Sequence, residues 1–247
     1  RSISSISNNH YRCLNFMNKI EEILSHFADQ IKQTFTNFEI FHIFKNNKSI
    51  LLFLFENEIV KVNREISIFL LSNEMGKFFY PEISEFLTEE EKLTINGENE
   101  GDFNKKRWKG ENDSKICSLI QSNLVVDLVS HLERSKISPS DTIQPSIYET
   151  NQFLIKNKKT TLIEYAAFFG SIQIFEYLLS RNVKMDSSLW LYAIHGQNID
   201  IIRHLEEKDV KKPKKWNELF LKESIKCHNK KIAQFFDSEF EKKEKYF

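Results

Sequence analysis

Apolar residues recur every third or fourth position through most of this chain, the spacing of helices that bury one face. Phe16, Ile20, Ile23, Phe27, Ile31 and Phe35 form one such series and predict an amphipathic helix from Ser7 to about Thr36, with Asn8 or Asn9 at its N-cap. NFEIFHIFKNNKSILLFLFENEIVKVN predicts two short helices joined at Asn46-Asn47. Ile66–Leu71 and Lys77–Leu87 predict two more, with Pro81 in the first turn of the latter. From Asn96 the periodicity fails. NGENEGDFNKKRWKGENDS holds three of the six glycines and charges of both signs, as a linker does. The chain therefore divides into an N-terminal helical region (1–95), a charged linker (96–115), a second helical region (116–240) and a charged tail (241–247). KICSLIQSNLVVDLVSHLERSK resumes the helical pattern, and Ile137–Tyr148, with Pro139 and Pro145, is a long connection.

The most organised stretch is TTLIEYAAFFGSIQIFEYLLSRN, Thr160 to Asn182. Thr161 suits a helix start, and Gly170 suits a tight break where a positive φ costs little. Ile174, Phe175, Leu178 and Leu179 line one face of a following helix. The unit is a helical hairpin, and small Ala166 and Ala167 let a neighbouring helix come close. The pattern recurs. SSLWLYAIHGQNIDIIRHLEEKDV puts Ala193 in the slot of Ala166, 27 residues on. LFLKESIKCHNKKIAQFFDSEF puts Ser224 there, 31 further on, and Ser118–Leu132 is a candidate earlier copy of undefined register. A lone hairpin cannot bury both its helices, so stacked copies share a core.

T-x-L-x-x-A-A-x-x-G-x-x-x-I-F-x-x-L-L resembles the ankyrin repeat, matched by Thr161, Ala166, Ala167, Gly170, Leu178 and Leu179. TLIEYAAFFGSIQIF, SLWLYAIHG and ESIKCHN are also similar to a divergent group of protist ankyrin proteins carrying a C-terminal ankyrin-like domain of unknown function. That likeness covers roughly Ile116 to Phe236, and ISNNHYR and IFKNNKSILLFLFEN resemble segments that precede the repeats. It implies an all-α protein: an N-terminal helical region followed by a short, irregular ankyrin-like solenoid that binds a protein on its concave face. Leu162 and Glu164 replace the usual proline-histidine pair, and steps of 27 and 31 fall short of ~33, so trimmed or irregular β-turn fingers are expected.

On that reading Glu164, Phe168, Phe169 and His195 are the candidate partner contacts, weighed against helix-end and packing roles. Cys227-His228 is an adjacent pair whose side chains diverge by roughly 100° on a helix, and nothing in the sequence points to a residue that converges on it. Lys211, Lys212, Lys214 and Lys215 in KDVKKPKKW form a basic cluster, read as a solvated loop or as an import or nucleic-acid patch.

Composition narrows the classes. Lys plus Arg equals Asp plus Glu at 35 each, so net charge drives no association with nucleic acid or an anionic membrane. Six glycines and four prolines disfavour a sheet fold with its many turns. Phe is frequent throughout, so a single Phe does not mark a site. Three distant cysteines, Cys13, Cys117 and Cys227, suit neither a disulfide framework nor a zinc site and suggest a reduced compartment, cytoplasmic or, by the lysine cluster, nuclear. Asn47 and Asn112 head glycosylation sequons that have no use there. The longest apolar run, ILLFLFENEIV, is interrupted by Glu56 and Glu58, so no membrane span is expected. No phosphate loop, nucleophile elbow, dinucleotide fingerprint or zinc-protease motif is present. No catalytic residue, metal or cofactor is expected, and the partner is an unidentified protein. The runner-up readings are a nuclear regulatory factor and a structural subunit docked by its N-terminal helices. The chain begins with Arg rather than Met, as a fragment does, so a preceding segment is expected.

Overall fold

The computed structural model describes residues 2–9, 14–95 and 102–244. It is all-α among these residues, with one isolated antiparallel bridge, Thr142 to Thr161. None of the described helices is long and apolar enough to cross a membrane. In chain order the helices are α1 (Ser2–Asn9), α2 (Leu14–His26), α3 (Ala28–Thr34), α4 (Asn37–Phe44), α5 (Lys48–Glu56), α6 (Arg64–Ser72), α7 (Tyr80–Ile83), α8 (Glu89–Ile95), α9 (Phe103–Lys109), α10 (Lys115–Gln121), α11 (Val125–Ser135), α12 (Gln152–Lys156), α13 (Leu162–Phe169), α14 (Ile172–Ser180), α15 (Leu189–Gly196), α16 (Ile199–Glu207), α17 (Trp216–Lys226) and α18 (Lys230–Glu244).

The chain forms two compact units, Arg1–Asp113 with Pro145–Lys156, and Ser114–Gln144 with Asn157–Phe247. In the first, residues 10–13 of the long helix expected from Ser7 to Thr36 lie outside the described ones, and its described residues belong to α1, α2 and α3. Asn8 and Asn9 lie inside α1 rather than capping a start. The buried stripe of α2 is Met17, Ile20 and Leu24, while Ile23, Phe27 and Phe35 are exposed. Phe27 leaves helical geometry at ψ 13°, which separates α2 from α3. The helices after it start where polar caps satisfy free amides. Thr36 and Glu39 make a reciprocal capping box on α4, and Asn47 and Asn63 accept from Ile50 N and Ile66 N to start α5 and α6. Pro81 occupies the first turn of α7.

The expected linker holds α9. Its first residues, 96–101, lie outside the described ones, but Phe103–Lys109 is helical. Arg107 is buried and pairs with Glu82 at 2.7 Å. The 145–156 segment also joins this unit. Lys48 Nζ donates to the carbonyls of Ile147 and Glu149, and the Thr150 hydroxyl donates to Gly110 O. Both sequon asparagines, Asn47 and Asn112, are buried.

The second unit is a row of helical hairpins: α10/α11, α13/α14, α15/α16 and α17/α18. Inner helices pack on inner helices (α10 on α13, α13 on α15, α15 on α17), and outer on outer (α11 on α14, α14 on α16). Ser118–Leu132 thus belongs to a preceding hairpin. Its register comes from Ser171, whose hydroxyl donates to Ile120 O, and from Asn123, whose side chain accepts from Ile174 N. Left-handed residues punctuate each copy. Asn123, Gly170, Gln197 and His228 turn the hairpins, and Lys136, Asn182 and Asp209 end the outer helices. The turning positions of the last three copies are 27 and 31 residues apart, the spacing read from the alanine slots. Gly170 therefore matches Gln197, not Gly196.

Gly196 has a different task. A Cβ there would come within 1.9 Å of Ala167 O, and one on Gly170 within 2.6 Å of Gly196 O. The two glycines sit where the backbones of α13 and α15 come too close for a side chain. Ala166, Ala167, Ala193 and Ser224 are fully buried along the same inner row. The connection before α13 pairs with its start: Ile143 N donates to Thr160 O and Leu162 N to Asp141 O. Trp190 anchors the last copies, buried against Phe220 with Nε1 donating to Val210 O. The tail begins late, because α18 continues to Glu244.

Candidate functional site

The last turns of three successive inner helices meet at the hairpin-turn end of the second unit. Phe168, near the end of α13, is 1% exposed and stacks on the His195 ring at 5.4 Å. His195 is the penultimate residue of α15. Its Nε2 lies 3.0 Å from Glu223 Oε1, a residue of α17. Cys227, the C-cap residue just after α17, places Sγ 3.4 Å from Nδ1 and 3.7 Å from Nε2 of the same ring. Lys226 Nζ bonds the second carboxylate oxygen of Glu223 at 2.8 Å. Glu223 and Cys227 are four apart and share a helix face, so a rigid element sets their separation.

The electrostatics divide the roles. The hydrogen bond with His195 outweighs burial and, with Lys226 assisting, holds the Glu223 carboxyl down at about 2. Burial, reinforced by the Glu223 charge, pushes the Cys227 thiol up to about 12. Carboxylate, imidazole and thiol occur in the order of a nucleophilic triad, but an activated cysteine needs a lowered pKa, and this one is a thiol at neutral pH. The side chains of His195 and Glu223 are each 14% exposed, so the cluster is sheltered yet reachable. Among the described residues, these three are the group whose His, Glu and Cys ligand atoms all lie within 4.8 Å of one another. The expectation that nothing converges on Cys227 therefore does not hold. Its sequence neighbour His228 is the turn residue with φ 49° and no member of the cluster.

The other candidate contacts fare unevenly. Phe168 is interior and cannot anchor a partner. Glu164 is no free groove residue either. It is the third residue of a capping box, accepting from Thr161 N and Oγ1 at 2.9 Å and from Ser188 Oγ at 2.6 Å. It also stands near the start of α13, whereas His195 lies in the last turn of α15. Phe169 is half-buried beside Tyr165 and Phe168. Of the lysines, Lys212 is drawn inward between Trp190 and Trp216, 4.9 and 4.3 Å from their ring centres, and pairs with Glu206. Lys211 and Lys214 are exposed, and Lys215 is exposed with the left-handed φ that starts α17. A phosphate patch built on Lys212 would have to break those contacts.

Glu223 and Lys226 were missed from sequence. The usable signal was the i, i+4 pair in ESIKC, and its meeting with His195 needs the register of α15 on α17. No family model, curated protein or solved structure matches this chain.

Proposed function

We propose that this chain is a non-enzymatic binding protein, an ankyrin-like scaffold whose second unit holds a protein partner along the accessible ends of its inner helices. The packing of inner helix on inner helix through Ala166, Ala167, Gly170 and Gly196 carries the reading. Backbones brought this close make a rigid row, and a rigid row binds with little ordering entropy. Phe169 and His195 are the sequence candidates left at that edge, and exposed Ile225 adds apolar surface on α17. Retention of Lys212 between two tryptophans weighs against the nucleic-acid alternative.

The test is affinity capture with the intact chain beside Phe169→Glu and Ile225→Glu, each checked for helicity by circular dichroism. Loss of a specific protein from both folded variants supports the inner-helix edge as the binding face. Equal retention overturns it. Capture that falls steeply between about 50 and 300 mM salt indicates phosphate contacts instead.

A further inference from the structure

We propose that His195, Glu223 and Cys227 form a binding site for a divalent transition metal, zinc above all, with three protein ligands and a fourth position left to water or an added donor. The site shares His195 with the proposed partner edge, but its test reads metal binding alone and does not depend on that reading.

The donor set comes first. One imidazole nitrogen, one carboxylate oxygen and one thiolate sulfur suit zinc, which takes all three in four-coordinate sites. Geometry comes second. Metal–ligand bonds of ~2.05 Å to N and O and ~2.3 Å to S, set tetrahedrally, put N and O about 3.3 Å apart and N and S about 3.5 Å apart. His195 Nε2 is 3.0 Å from Glu223 Oε1 and 3.7 Å from Cys227 Sγ. Both separations are within a few tenths of an ångström of those edges, and the three donor atoms all lie within 4.8 Å of one another. Sγ is closer still to Nδ1, at 3.4 Å, so it lies to the side of the Nε2 lone pair, and ion entry requires the Cys227 side chain or the His195 ring to rotate until the thiol faces that nitrogen.

Support for the ligands comes third. The imidazole is braced by Phe168, and the other two ligands are spaced by one helical turn of α17. Lys226 on the second Glu223 oxygen orients the carboxylate from outside. Charge also balances: glutamate and thiolate neutralise a dication. Binding replaces the Cys227 S–H bond with an S–metal bond and releases one proton to solvent, with no redox change. Without an ion, the same atoms make the hydrogen bonds described above.

The probe is Co²⁺ added to the purified, chelator-stripped full chain, followed by Zn²⁺ displacement. The expected result is saturation at one equivalent, with a thiolate-to-cobalt charge-transfer band and the intense visible bands of four-coordinate cobalt, all erased by Zn²⁺. Cys227→Ser should remove the charge-transfer band, Cys13→Ser should keep it, and His195→Gln and Glu223→Gln should weaken binding at least about tenfold. Absence of saturable binding below about 100 µM in the unmutated chain overturns the proposal whatever the variants do. So does a thiolate band that survives in folded Cys227→Ser.

Discussion

Single residues settle how closely the inner helices approach. Gly196 lies against Ala167 O with no room for a methyl group. Gly196→Ala should therefore destabilise the second unit by about 2–3 kcal/mol through overpacking, read from urea unfolding. Gln197 pays the opposite cost, holding φ at 57° where its counterpart is Gly170. Gln197→Gly should stabilise by about 0.5–1 kcal/mol, visible as a higher thermal midpoint. In the first unit, burial raises Glu149 to about 7 and lowers Lys48 to about 8. A carboxyl whose folded pKa is raised penalises folding once the unfolded chain ionises, from about pH 4.5, and the penalty is complete above about 7. Glu149→Gln should match the wild type near pH 4.5 and gain on it by pH 7.5. Chemical unfolding at both values checks the sign.

At the scale of elements, polar caps place helices that periodicity only outlines. Thr161-Leu-Ile-Glu164 and Thr36-Asn-Phe-Glu39 are both reciprocal capping boxes, and Thr88 with Glu91 repeats the two bonds ahead of α8. Thr161→Ala should cost about 1 kcal/mol, and Glu164→Lys should lower stability, measured by thermal unfolding, before it alters any binding. Helix α9 carries the reverse lesson. Its sequence is charged and glycine-flanked, yet it folds because Arg107 finds Glu82 inside the first unit. Burial raises the Glu82 carboxyl despite the guanidinium beside it. Removing the acid alone leaves a buried cation, so Glu82→Ala should cost about 3–5 kcal/mol by denaturant titration.

For the molecule as a whole, the hairpin row makes stability a matter of neighbours. Each copy in the second unit is held chiefly by the copy beside it, so damage stays local. Phe236 of α18 is buried against Phe220 and Trp190. Phe236→Ala should raise amide exchange in α17 and α18 by tenfold or more and change α13 far less. Uniform loss of protection would show that the row unfolds as one body. Among its described residues the first unit lacks this hairpin repetition and mixes short helices with the returning 145–156 segment, tied in by Lys48 and Thr150.

Local chemistry was enough to read the all-α class, the helical hairpins after Thr161 and the turn at Gly170. Apolar period, capping residues and a positive-φ glycine act within a few residues of themselves. The burial of Arg107 and the drawing-in of Lys212 needed the fold, because Glu82 and Trp190 lie 25 and 22 residues away along the chain. So did the cluster at the end of the inner row. His195 and Cys227 are 32 residues apart, and only the packing of α15 on α17 brings their side chains to 3.4 Å. In the hairpins after Thr161 sequence decided which helices form and where the first of them turns; tertiary structure decided which of their polar residues meet, because that register is set by how closely the glycines and alanines let the backbones approach.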